Sequence, residues 1–226
     1  MRRALILALA TGACAVAAAP AAATNECRGL MVCVPVVGPW VSTGSARVEF
    51  QLACPRRYIV GGLDAELSSR GIEVGFVGAL GSPVNPGITT AKEAVFLGQH
   101  VRGRDAAPSF RPVIGCVPAQ GGGSRSPTAY HAFPPTKPTA RQVTTLRVRP
   151  GATTSAVARC PKAQRLVSAS HAVAFYGATP PTAAVVKAVT VNQRVAAGVV
   201  KLRVQATRAI AQTRTVVQLD LLCVPQ

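Results

Sequence analysis

Few residues in this chain are of the types and spacing that catalysis needs. Asp64 and Glu66 are its one close pair of carboxylates. At i and i+2 on a strand they share a face, the placement from which paired acids do general acid–base work, but a solvated strand face is the better reading of them. His171 lies close to Ser168 and Ser170, the ingredients of a base and its nucleophile, but the second half of the chain offers only Asp220 as an acid to orient the histidine. Motifs with greater specificity are missing: there is no Gly-x-Ser-x-Gly elbow, no phosphate-binding glycine loop with lysine and no His-Glu-x-x-His. His100, His131 and His171 stand away from ligand spacing with another histidine or cysteine, so neither a metal nor a cofactor is expected.

Charge is the more informative chemistry. Residues 24–118 carry nine basic and seven acidic side chains, whereas residues 119–226 carry 14 basic and one acidic. One half is thus nearly neutral and the other strongly cationic. Arg147 with Arg149, and Lys201 with Arg203, each occupy alternate positions, which on strands gives two cationic faces suited to an anionic polymer. The aromatic residues Trp40, Tyr58, Tyr130 and Tyr176 have no spacing that would stack bases or sugars in sequence, so no specific reader of nucleic acid is expected. Trp40, beside Gly38-Pro39, is better placed as a core plug or a contact between modules. The expected partners are anionic extracellular polymers or the cell-envelope surface.

The compartment follows from the N-terminus. Arg2 and Arg3 precede a largely apolar stretch from Ala4 to Ala19, and small residues Ala21 and Ala23 follow, the three parts of a secretory signal peptide. Cleavage is expected before Thr24, leaving 203 residues and no transmembrane segment in the mature chain. Thr11 stands where a lipobox needs an aliphatic residue before Cys14, which favours the general secretory route. Six cysteines remain: Cys27, Cys33, Cys54, Cys116, Cys160 and Cys223. In an exported chain an even number reads as a disulfide framework.

An internal repeat narrows the pairing. Cys54 and Cys160 each open with Cys-Pro, basic residues and a short apolar strand, while Cys116 and Cys223 each close with Cys-Val-Pro. The openings are 106 residues apart and the closings 107, with the extra residue placed before Leu166. The simplest pairing joins Cys54 to Cys116 and Cys160 to Cys223, leaving Cys27 for Cys33. Each long bridge closes a loop that is worth about 4 kcal/mol in the chain-entropy model.

These brackets must sit on strands. Val48, Phe50 and Leu52 alternate with Glu49 and Gln51; Val200, Leu202 and Val204 with Lys201, Arg203 and Gln205; Val217, Leu219 and Leu221 with Gln218 and Asp220. Each set presents one apolar face to a core and one polar face to water. Apolar runs at 72–77, 94–97, 112–116 and 185–191 read as further strands, and the period-two match favours a strand over a helix within 196–211. The fold class is therefore all-β, with two tandem disulfide-stapled β-sandwich-like modules. The first occupies residues 24–118 with its leading segment, and a Gly/Ser/Pro linker covers 119–142. The second, basic module covers 143–226 and enters on a strand from Val143 to Arg149.

With these residues in view, the chain resembles secreted bacterial β domains of unknown function. Those carry Cys-Pro-x-Gly, an apolar strand, a double glycine and a late strand ending in cysteine. Here the pattern covers residues 47–118 and 143–225; Gly61-Gly62 supplies the double glycine in the first copy, and Ser168-Ala169 replaces it in the second. Arg57 stands where the first glycine is expected. The resemblance implies fold and export and no activity. Together these features describe a secreted, non-catalytic binding or envelope-associated protein, with a secreted hydrolase of unrecognised site as the alternative.

Overall fold

Alternating apolar residues in short runs, broken by Gly, Pro, Ser and Thr, build strands almost throughout. The computed structural model describes residues 33–78, 92–119 and 140–226. The expected signal peptide, Cys27 and most of the expected linker lie outside these. The first half contributes β1 (Val34–Val37), β2 (Trp40–Ser42), β3 (Val48–Ala53), β4 (Tyr58–Leu67), β5 (Ile72–Gly78), β6 (Glu93–His100) and β7 (Ser109–Pro118). The second contributes β8 (Ala140–Val148), β9 (Thr153–Arg159), β10 (Gln164–Tyr176), the helix α1 (Ala183–Lys187), β11 (Val189–Ala196), β12 (Val199–Ala206) and β13 (Arg214–Pro225).

The protein is all-β, and its described residues form three antiparallel sheets. A seven-stranded sheet runs β1-β7-β2-β10-β13-β8 with β4 added on β7, and two three-stranded sheets run β3-β6-β5 and β11-β12-β9. Cys54 is bonded to Cys116 and Cys160 to Cys223, at Cα–Cα distances of 5.7 and 5.8 Å. Cys33 is also disulfide-bonded.

The two brackets share their local geometry. In each, the proline after the opening cysteine begins a four-residue turn whose third residue, Arg57 or Ala163, has a positive φ (70° and 66°). The turn is closed by Tyr58 N–H to Pro55 O and Gln164 N–H to Pro161 O, both at 3.1 Å. The strands then pair in one register, Val60 with Cys116 and Leu166 with Cys223, and each is interrupted one residue later by a bulge. Gly61 occupies the bulge in one half and Val167 in the other. Leu166 therefore matches Val60, and the extra residue expected before Leu166 falls after it instead. Ser168 matches Gly62, the second glycine, because the disulfide fixes the register to the closing strand.

The positive φ makes position 57 one that favours glycine. An L-residue there costs about 1–2 kcal/mol, of which glycine's extra freedom in the unfolded chain returns about 0.5–1 kcal/mol. Arg57→Gly and Ala163→Gly should each raise stability by about 0.5–1 kcal/mol in urea unfolding, with an unchanged slope.

Two strand expectations are corrected. The run at 185–191 is divided: Pro181 is followed by Thr182, whose hydroxyl caps the α1 backbone by accepting from Val185 N–H, and the strand resumes only at Val189. The strand expected from Val143 to Arg149 starts at Ala140 and ends at Val148, leaving Arg149 beyond it.

Two cores result. One gathers Phe50, Phe96, Phe110 and Ile114 with Ala172, Ala174 and Val216 from the second half; the other gathers Leu202, Ile210, Leu219 and Leu221. β13 is buried on both faces. Its odd residues Val217, Leu219 and Leu221 fill the second core, while Val216, Gln218 and Asp220 face the first half, so Gln218 and Asp220 are 5% and 2% exposed rather than turned to water.

Candidate functional site

The outer face of the sheet β11-β12-β9 is built by register. Ala197 (φ 49°) and Gly198 (φ 72°) make the two-residue turn that right-twisted hairpins favour. This sets Arg194 opposite Lys201 and Asn192 opposite Arg203; on the other side of β12, Val157 lies opposite Lys201 and Ser155 opposite Arg203. Because Val200, Leu202 and Val204 point into the core, these partners all face solvent. They line a shallow concavity of about 450 Å³ together with Gln205. Arg159, at the end of β9, extends the cationic surface.

Among the described residues no carboxylate occupies this face. The second half's one acid, Asp220, lies in the other sheet, where Arg141 hydrogen-bonds both Asp220 and Glu49 of β3. Burial pushes the Asp220 carboxyl above its ordinary pKa against the pull of Arg141, and the Glu49 charge adds to the rise. Burial works to lower the Arg141 guanidinium, but hydrogen bonds and charge from Glu49 and Asp220 hold it above its ordinary value.

The four basic residues singled out by sequence divide between two surfaces. Lys201 and Arg203 lie on the face just described. Arg147 is opposite Val216, which packs into the first core, and so lies on the face of the large sheet turned toward the first half, exposed on the edge strand β8, while Arg149 follows in an exposed turn. Arg194, Asn192 and Ser155 were missed. Alternation along one strand reveals a face, but only pairing brings in the neighbours.

The catalytic candidates are not assembled. His171 lies opposite Leu219 on the core side, with Nδ1 2.8 Å from Gln193 Oε1; Ser168 and Ser170 lie opposite Leu222 and Asp220 on the reverse face. Glu66 is ion-paired with Arg111 at 2.5 Å, and Arg111 stacks over Trp40 at 5.0 Å. Asp64 Oδ1 accepts from Ala65 N–H at 2.7 Å. Trp40 is 4% exposed and pairs through β2 with Phe175 of β10, which makes it a contact between the two halves.

No protein-family model matches the chain, and no curated protein or solved structure is significantly similar to it. The disulfides fit an extracytoplasmic protein. Among the described residues no helix is long and apolar enough to cross a membrane.

Proposed function

We propose that this chain is a secreted, non-catalytic protein, built from two copies of one bacterial β module, that binds anionic polymers through the outer face of β11-β12-β9. One observation carries the reading: the second half's only carboxylate is buried against Arg141, so Arg194, Lys201 and Arg203 have no acid among them. Cross-strand neighbours lie about 5 Å apart and alternate residues about 7 Å apart, a spacing on which a flexible chain of phosphates or sulfates can lie. Ser155, Asn192 and Gln205 supply uncharged hydrogen-bonding groups between the cations. Among the described residues no aromatic side chain lines the face, which favours contact with the polymer's charged groups over stacking with bases or sugars.

The test is a salt titration of the full mature protein on teichoic acid, heparin and DNA. Affinity should fall steeply with salt, as counterion release requires. Lys201→Glu with Arg203→Glu should weaken binding at least about tenfold and reduce the salt slope by about two. Arg147→Glu with Arg149→Glu, on the other surface, should change it little. Binding indifferent to salt, or equal loss from both pairs, would reduce the cationic face to general solubility.

A further inference from the structure

The free edge of β9 has a counterpart elsewhere in the chain that is occupied. Ala206 N–H bonds Ala152 O, and this phase carries along the antiparallel ladder, so the even residues of β9 bond β12. Ser155 and Val157 therefore present their N–H and C=O groups to the open side, where no strand pairs among the described residues. In the first half, Cys54 N–H to Lys92 O sets the same phase, and Gln51 presents its backbone to the open side of β3. There the edge is closed: Gln51 N–H donates to Gln218 Oε1 at 2.6 Å, and Gln51 O accepts from Gln218 Nε2 at 3.1 Å. One amide thus meets both backbone groups, as a neighbouring strand would. Gln51 and Val157 are separated by the same 106 residues as the opening cysteines.

Nothing in β9 guards this edge. Its seven residues contain no proline and no inward charge, its pairing with β12 has no bulge, and Val157 is 69% exposed. We propose that β9 accepts an extended acidic segment of a partner protein as an added strand. Charge chooses the occupant. An added strand lies beside a face holding Lys201, Arg203 and Arg194, so glutamates at alternate positions are attracted, whereas a second copy of this chain would bring its own cationic face alongside. The charge preference rests on the cationic face of the proposed function; the pairing rests on the strand edge alone.

The probe is a labelled seven-residue peptide alternating Glu with Val and Thr, titrated against the full mature protein. The peptide should bind, and replacing Glu by Lys should weaken it at least tenfold. Methylating one alternate set of backbone amides should weaken it at least tenfold, and methylating the other set should not. Val157→Pro removes an N–H that faces the open side and spares the β12 ladder, so it should abolish peptide binding. If that variant does not fold, the two methylated peptides decide the question. No peptide binding, or binding indifferent to both methylation patterns, would overturn the proposal even if polyanions bind. Self-association lost in Val157→Pro would also overturn it, assigning the edge to a second copy. Loss of heparin binding in Lys201→Glu with Arg203→Glu bears on the proposed function, whereas the methylation pattern bears on the edge.

Discussion

Replacing Arg141 with methionine should destabilise the protein by about 3–5 kcal/mol at neutral pH, the cost of leaving one member of a buried pair without its partner. The Arg141 side chain is 8% exposed and Asp220 is 2% exposed, so water replaces little of what is lost. The effect should depend on pH in a definite direction. Burial already raises the Asp220 pKa in the folded protein, so its contribution to stability is full below the unfolded value near 3.8 and declines as pH rises through the folded value. Removing Arg141 removes the influence that lowers that pKa, so it climbs further and the decline deepens. The difference between wild type and variant should therefore be largest at neutral pH and shrink toward pH 4. Urea unfolding at pH 4 and pH 7 measures it. Adding Asp220→Leu to Arg141→Met should recover most of the loss, because no buried carboxylate then remains. A pH-independent difference, or no recovery in the double variant, would locate the cost in packing instead.

What the sequence could disclose was local. Lys201, Arg203 and Gln205 alternating with Val200, Leu202 and Val204 were enough to place β12 and its two faces, and the matching cysteine brackets led to both long disulfides. Gln218 and Asp220 have the same alternation, yet both are buried, because the edge of β3, 167 residues away for the Gln51–Gln218 contact, packs against them. Period-two patterning identifies a polar face, but it cannot say whether water or another strand's polar edge covers it. The same limit divided the candidate site: charge spacing picked out Lys201 and Arg203 but could not find Arg194 across the hairpin or detach Arg147. Arg57 was visible as a departure from a glycine pattern, but its positive φ could be read only from the backbone. In the run at 185–191 the apolar residues suited either a helix or a strand, and the Thr182 cap decided for a first turn of helix.

Removing one disulfide should test how far the two halves depend on each other. Cys160→Ala with Cys223→Ala opens a bridge spanning 63 residues, worth about 4 kcal/mol in the chain-entropy model, and fully buried Cys223 adds a small packing loss. For a chain of this size the thermal midpoint should fall by roughly 10 °C. Two independent modules would then melt in two steps, the first half keeping its original midpoint. The contacts across the halves argue for one step. Trp40 and Val41 of β2 pair with Phe175 and Ala174 of β10, Ala172 and Val216 lie in the first half's core, and Gln218 closes the edge at Gln51. Unfolding the second half would strip these from the first, so losing the second bridge should lower the midpoint of the whole protein in one calorimetric transition. Replacing Cys54 and Cys116 should do the same from the other side. A two-step melt in either variant, with one half holding its wild-type midpoint, would show that the seven-stranded sheet joins the halves without coupling them.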